Sequence, residues 1–356
     1  VIEVAALTSG RNVPSRRFRV AQHIGPLAEM GVRVTEYLPA IGKYDFFPLW
    51  PQTWPRQYGY PLYGLWQVLK LMARAPGVVG SWRDGITWLE RELISGMPTL
   101  EPCLKRPLVL DVDDAIWLSR PFGRLSAKIA ARRADVVLAG NRYLADWFGR
   151  YARNVRVLPT AVDTARFRPA PGSPKDKDAG LVVGWTGLAW NLPYLAAIEE
   201  ALARFLQERA GARLLVIADQ PPALKRIPAD RIEFQPWSPS VEAGAVQRMD
   251  VGLMPLPDNA WTRGKASFKM LQYMACGLPV VVSPVGMNAE VLALDEVGLA
   301  ATSPADWYQA LSRLDRDRDL ARKLGRNGRT LVETRFSRAV ISKTLADVFH
   351  ELNRRS

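Results

Sequence analysis

Residues 263–286, RGKASFKMLQYMACGLPVVVSPVG, gather the side chains best suited to holding an anion. Phe268, Leu271 and Ala275 recur at helical spacing, Gly277 supplies a stop and Pro279 stands just beyond it, so a helix is expected to begin near Ser267. The first turn of a helix presents unpaired N–H groups worth about half a positive charge and favours acidic neighbours. Here it meets Arg263, Lys265 and Lys269 instead. If the turn reaches back to Lys265, then Lys265, Lys269 and Gln272 share one stripe opposite the apolar residues. Such an end suits a diphosphate; the plain alternative is that the cations point into water.

Three other stretches invite a chemical reading. In LDVDDAIW, residues 110–117, Asp111 and Asp113 form a D-x-D pair that suits Mg²⁺ or Mn²⁺. Alternatively, Asp113 and Asp114 stand at a strand's C-terminal edge, where α/β proteins gather ligands, or an aspartate simply caps a helix. TSGRNVPSRRFRV, residues 8–20, sets Gly10 after the first strand and Arg16, Arg17 and Arg19 around the next helix start, either for a phosphate of donor or acceptor or as solvated arginines. In GWTGLAWN, residues 184–191, Gly184 and Gly187 allow close backbone approach to phosphate and Asn191 is placed to cap a helix, although a tight turn without ligand reads the same. Residues 44–66, rich in aromatics and prolines around Trp50 and Trp54, suit an interfacial or acceptor-binding loop or an ordinary packed one.

The elements that must position these residues alternate strand and helix throughout, the pattern of parallel α/β sheets. Strands are expected at VIEVAAL, RVTEYLP, ITWLERE, PLVLDV, DVVLAG and NVRVLP, then at LVVGW, RLLVIA, RIEFQP, DVGLMP, PVVVS and VGLA. Two Rossmann-like units follow, 1–165 and 181–335, joined by a Pro/Gly-rich linker at 166–180. In residues 336–356, Ile341, Leu345, Val348 and Leu352 share a helical face, so this helix is expected to cross back to the first domain.

A chain of 356 residues, 48% apolar and 23% charged, has room for two soluble domains. No apolar run approaches the roughly 18 to 20 residues of a membrane span and no signal-peptide pattern opens the chain, which points to the cytoplasm. Cys103 and Cys276 read as two buried thiols, and His23 and His350 as structural histidines. Of the net charge of +13, residues 1–178 hold +10, with 26 Lys+Arg against 16 Asp+Glu. That bias suits attraction of the first half to an anionic membrane. Charge alone supports a nucleic-acid role, since zinc-ligand spacing, a recognition-helix motif and an RNA-binding aromatic signature are all missing.

The order of PSRRFRV, LDVDDAIW, VLPTAVDTARFRP, GWTG and LQYMACGLPVVVSPVG along the chain resembles the GT-B glycosyltransferases, specifically the large retaining family numbered four. The resemblance implies two Rossmann-like domains facing across a cleft, an N-terminal acceptor side and a C-terminal nucleotide-sugar side. It implies metal-independent transfer, with retention, of a sugar from a UDP- or GDP-linked donor, needing no cofactor beyond that co-substrate. The acceptor would be a glycan such as a cell-envelope polysaccharide, a lipid-linked sugar or a small molecule, met in the cytoplasm or at the membrane's inner face. In this reading Gly184, Gly187, Arg263, Lys265, Lys269 and Gly286 hold the diphosphate, and Asp113, where relatives often have a histidine, lies with Asp114 and Lys265 near the reacting sugar. The family's two glutamates, eight residues apart, are replaced by Gly264 and Gln272, leaving Gln272 as a neutral acceptor for a ribose hydroxyl. A sugar-nucleotide epimerase on the same fold and a non-catalytic sugar-nucleotide or nucleic-acid binder are the competing readings.

Overall fold

The computed structural model describes residues 1–45, 60–171 and 180–355, so Trp50 and Trp54 and residues 172–179 of the expected linker lie outside the described residues. Two compact units emerge. Val1–Ala161, Gly264–Ala266 and Arg338–Ser356 form the first, and Val162–Arg263 with Ser267–Ser337 the second. The boundary precedes the Pro/Gly-rich stretch because Val162 N donates to Phe336 O at 2.8 Å and Phe167 joins the second unit's core.

The first unit is built on parallel strands β1 (Ile2–Leu7), β2 (Val32–Tyr37), β3 (Ile86–Glu90), β4 (Leu108–Val112), β5 (Val136–Ala139) and β6 (Val155–Val157), in the order β2-β1-β3-β4-β5-β6. Helices α1 (Ile24–Glu29), α2 (Tyr60–Met72), α3 (Ala75–Arg83), α4 (Gly123–Arg133) and α5 (Arg142–Phe148) connect them. Alternation along each strand splits the core in two. Val4, Ala6, Trp88 and Val109 face one layer, and Ala5, Leu7, Leu89 and Leu110 the other, against α4 and α5.

The second unit repeats the plan with β7 (Val182–Thr186), β8 (Arg213–Ala218), β9 (Ile232–Pro236), β10 (Val251–Met254), β11 (Val280–Val282) and β12 (Gly298–Ala300), ordered β12-β11-β10-β7-β8-β9. All twelve expected strands are present; their apolar runs are what a sheet buried on both faces requires. The helices are α6 (Leu192–Ala196), α7 (Glu199–Glu208), α8 (Glu242–Val246), α9 (Ala260–Arg263), α10 (Phe268–Ala275), α11 (Met287–Leu292), α12 (Pro304–Arg316) and α13 (Arg318–Leu331).

A last helix, α14 (Arg338–Arg355), returns to the first unit. Its face of Ile341, Leu345, Val348 and Leu352 is buried in the core that holds Trp88, whose ring meets Phe349 edge-on at 5.4 Å. Both histidines serve this packing. His23 Nδ1 lies 2.7 Å from Ser342 Oγ and His350 Nε2 lies 3.0 Å from Met30 O. Burial, aided by the charge of Arg19, pushes the His23 imidazole down to about 3. Cys276 is buried, and burial raises its thiol to about 12, but Cys103 is exposed, against the expectation of two buried thiols. Among the described residues no helix is long and apolar enough to cross a membrane.

Candidate functional site

In an open parallel sheet, ligands gather beyond the strands' carboxyl ends where strand order reverses, which in the second unit is between β7 and β10. Helix α10 lies against this part of the sheet. Gly252 makes room for it, since a Cβ there would fall 2.2 Å from the Tyr273 ring, and the Tyr273 hydroxyl accepts from Thr186 N at 2.8 Å. Beyond β7 the chain turns at Gly187, where a Cβ would come within 2.3 Å of Lys269 Nζ. That ammonium sits 4.3 Å from the centroid of the Trp185 ring. A lysine in the first turn of α10 is thus held over an aromatic face at the carboxyl edge of the sheet, beside a glycine whose Cβ would crowd the Lys269 head and the Trp185 ring.

The other donor-side expectations divide. Helix α10 starts at Phe268, as its periodicity predicts, but Ser267 takes a left-handed φ of 50° and its hydroxyl donates to Asn288 Oδ1 at 2.6 Å. The helix therefore does not reach back to Lys265, and the expected stripe is broken. Arg263 forms a bidentate pair with Asp258, at 2.6 and 2.9 Å, and its backbone packs on Gly286, where a Cβ would meet Arg263 O at 2.4 Å. Gln272 is buried with its amide donating to Glu242 Oε1 at 2.9 Å, so it faces a carboxylate in the interior rather than a ribose in solvent. Gly184 is a packing glycine, its missing side chain replaced by Met249, whose sulfur would lie 2.0 Å from a Cβ. Asn191 occupies the N-cap of α6 without a side-chain capping bond.

In the first unit, charged groups crowd the carboxyl ends of β1, β3 and β4. Arg91 holds both aspartates of the expected catalytic pair, with Nε 2.6 Å from Asp113 Oδ1 and Nη2 2.7 Å from Asp114 Oδ2, while Nη1 donates to the Tyr44 hydroxyl at 2.9 Å. Its φ of 60° is unusual for a side chain of this size. Burial alone would raise the Asp113 carboxyl, but the Arg91 charge and hydrogen bond outweigh it and hold it below the ordinary range. At Asp114 burial wins, helped by repulsion from Asp113, and the carboxyl is raised. Lys265, in the Gly264–Ala266 segment of this unit, contributes a lowering charge at Asp114, and its carbonyl accepts from Asn141 Nδ2 at 3.1 Å. Gly264 leaves little space for the glutamate that the resemblance would put there: a Cβ would stand 2.9 Å from Ala115 Cβ and 3.0 Å from Ala115 N.

The arginines after β1 do not form the expected phosphate cluster. Arg16 is paired with Glu36 through Nε and Nη2, both at 2.7 Å. Arg19 is buried, with Nε 2.8 Å from Asp111 Oδ1 and Nη1 donating to Leu158 O at 2.7 Å. Arg17 lies over the Phe18 ring at 4.7 Å. Gly10, at φ 142°, instead permits close passage of Gly42. Asp111 faces Arg19 and the Trp88 indole, and burial lifts it to about 6, so its position is that of a core ion pair. Sequence reasoning passed over Arg91 and its neighbours Glu90 and Glu92. The available signal was ERE closing the otherwise apolar strand ITWLERE, three charges placed at the edge where ligands bind.

Residues 181–317 match a family model described as Glycosyl transferases group 1. The match covers less than half of the chain. Gly187 and Lys269 lie within the matched stretch, at the switch point of its sheet. The chain is 25% identical over 275 residues to D-inositol 3-phosphate glycosyltransferase of Nocardia farcinica, matching 68% of this chain but spanning only 59% of that protein. In fold it is similar to sucrose-phosphate synthase of Thermosynechococcus elongatus, with a TM-score of 0.71 at 16% identity over 100% of both chains. It is also similar to Anabaena HepE in complex with UDP-glucose, with a TM-score of 0.68 at 15% identity over 99% of this chain and 100% of that one. The two six-stranded parallel sheets thus belong to the GT-B architecture.

Proposed function

We propose that the chain is a retaining glycosyltransferase that moves a hexose-like sugar from a UDP- or GDP-linked donor to a hydroxyl of a glycan, lipid-linked or small-molecule acceptor. The observation that carries this reading is the Lys269 ammonium, fixed over Trp185 beside the Gly187 turn within the stretch that matches the group 1 model. A departing diphosphate gains negative charge as the anomeric C–O bond breaks, and a preorganised cation at a helix end stabilises that charge. Arg263 joins it by exchanging Asp258 for phosphate, with the Gly286 backbone alongside. Asp113, Asp114 and Lys265 of the first unit attend the sugar, the aspartates positioned by Arg91. The acceptor oxygen then bonds to the anomeric carbon on the face the diphosphate leaves, passing its proton to the departing oxygen.

In this reading the second unit holds the donor and the first the acceptor. Cations meet the phosphate charge, so the reaction proceeds without a metal. HepE was solved with UDP-glucose, which favours UDP among the nucleotides. The first unit also touches anionic membrane at the inner face, a reading supported by the +10 balance of residues 1–178 and by exposed Tyr63, Leu65, Val68 and Met72 on α2 and Val79 and Trp82 on α3. Thermal shifts with UDP, GDP, ADP and dTDP test donor binding first, since a ligand at a hundred times its Kd stabilises by about 2.7 kcal/mol. Release of free nucleotide diphosphate from the matching nucleotide-sugar, with EDTA present, tests transfer. A chain whose melting none of the four nucleotides moves is not this enzyme.

A further inference from the structure

Helix α4 packs its small residues inward, Ser126, Ala127, Ala130 and Ala131 being buried, and turns two unlike stripes outward. The first is apolar. Phe122 at the N-cap, Leu125 and half-buried Ile129 stand three and four residues apart, with Leu118 in the turn before them. Leu118, Phe122 and Leu125 are 42%, 54% and 51% exposed. The second stripe is cationic: Arg124, Lys128 and Arg132 recur at every fourth residue. From Ala115 to Ala134 the chain holds five cations and no carboxylate. Tyr151 feels the resulting field. Lys128 Nζ lies 5.0 Å from the centroid of its ring. Desolvation acts to raise the Tyr151 hydroxyl, but the Arg124 side chain and the charges of Lys128 and Arg150 outweigh it and hold the phenol below its ordinary value.

A partner for this face must meet cations and apolar side chains together. Nucleic acid offers phosphates but nothing for Phe122 and Leu125, whereas an anionic bilayer presents phosphates above an apolar layer, the two levels that an interfacial helix spans. The exposed apolar residues of α2 and α3 lack such charge. From Tyr60 to Arg83 the cations are Lys70, Arg74 and Arg83, and the first two are buried, with Lys70 Nζ donating to Lys43 O at 2.8 Å. Helices α3 and α4 flank one turn, since Trp82 Nε1 donates to Cys103 O at 2.9 Å and Arg133 Nη2 to Leu104 O at 2.7 Å. Both helices cover the same layer of the sheet, so exposed Trp82 and the stripes of α4 lie on one side of it. We propose that the outward face of α4 docks on an anionic lipid bilayer, Phe122 and Leu125 entering the acyl boundary while Arg124, Lys128 and Arg132 meet lipid phosphates. This docking rests on the membrane contact of the reading above and assigns its charge to α4.

Co-sedimentation of the full chain with vesicles tests it, using phosphatidylcholine alone and equimolar phosphatidylcholine and phosphatidylglycerol. The wild type should partition onto the anionic vesicles, and less so as salt rises. Arg124→Gln combined with Lys128→Gln should weaken that partitioning about 30-fold, roughly fivefold for each cation at the headgroups. Phe122→Ser should weaken it about tenfold. These three side chains are exposed or half-buried, so melting temperatures should stay those of the wild type. Leu65→Ser combined with Val68→Ser, on exposed positions of α2, separates this face from its neighbour. Partitioning lost in the α2 variant but unchanged in both α4 variants refutes the α4 face and leaves the membrane contact standing. A wild type that ignores anionic vesicles refutes both. Duplex DNA bound in place of vesicles, and released by the two cation substitutions, assigns the face to nucleic acid and overturns the proposal.

Discussion

Replacing Arg91 is the sharpest probe of how the first unit holds its carboxylates. Its guanidinium meets Asp113 at 2.6 Å, Asp114 at 2.7 Å and the Tyr44 hydroxyl at 2.9 Å, all through one fork. Arg91→Ala leaves two carboxylates without their main partner, and breaking a buried pair from one side costs about 3 to 5 kcal/mol. For a unit of this size that corresponds to a fall in melting temperature on the order of 10 °C. The backbone adds a second, opposite effect. At φ 60° alanine suffers the left-handed penalty of roughly 1 to 2 kcal/mol and glycine does not, so Arg91→Gly should be about 0.5 to 1 kcal/mol more stable than Arg91→Ala even after its larger unfolded-state entropy. Arg91→Lys keeps the charge but not the fork, and should fall between alanine and wild type. The cost should also depend on pH. Arg91 holds Asp113 below its ordinary value of 3.8, so the stability it contributes is full above that value and lost as pH falls through the lower folded one; the penalty of Arg91→Ala should shrink below about pH 4. Urea unfolding followed by tryptophan fluorescence at pH 7 and at a pH well below 4 reads all three effects. An alanine variant within 1 kcal/mol (~1) of wild type at pH 7, or a glycine variant less stable than alanine, would refute the reasoning.

Three further outcomes are expected. Lys269→Met should weaken UDP binding by about 5- to 100-fold in calorimetry while the fold survives, as for loss of one charge-assisted contact; unchanged affinity would remove Lys269 from the donor site. His23 is held near 3 against an ordinary 6.5, so the unfolded chain takes the proton first and its stabilising contribution declines as pH drops below about 6.5, while Asp111, raised to about 6, acts in the opposite sense between its ordinary 3.8 and that value. The stability difference between wild type and His23→Gln isolates the histidine and should fall by about 3 kcal/mol between pH 7 and pH 4; a difference flat with pH would count against it. Gly264→Ala should lower stability by about 1 to 3 kcal/mol because its Cβ strikes Ala115, and Gly264→Glu should not raise turnover; a fully stable Gly264→Glu would show that the segment yields freely.

What the sequence disclosed and what it hid have physical reasons. Parallel strands buried on both faces are continuous apolar runs, so VVV at β11 and LLVIA in β8 announced themselves. The start of α10 was equally plain from Phe268, Leu271 and Ala275. The reversal at Ser267 was not, because one residue at positive φ leaves no trace in periodicity, and it takes Lys265 off the helix face. Arg19 and Asp111 lie 92 positions apart, and Gln272 and Glu242 lie 30 apart. Local spacing carries no information about such partners, so arginines destined for carboxylates looked like arginines awaiting phosphate. Gly184 and Gly187 illustrate the same limit, since a glycine that clears space for Met249 and one that clears space for a lysine head are the same letter.

The return of α14 to the first unit sets the order in which the protein can be made. When residue 161 leaves the ribosome, β1, β3 and β4 are complete, but Trp88, Val4 and Val109 still lack the helix that shares their core. The whole second unit must be synthesised before Arg338 emerges, which at about 5 to 20 residues per second takes roughly 10 to 35 seconds. Throughout that interval the earlier-born half exposes an apolar sheet face, and by its end the later-born half has every strand of its own sheet. The half translated first is therefore the half completed last, and its uncovered face is where a chaperone would hold the growing chain.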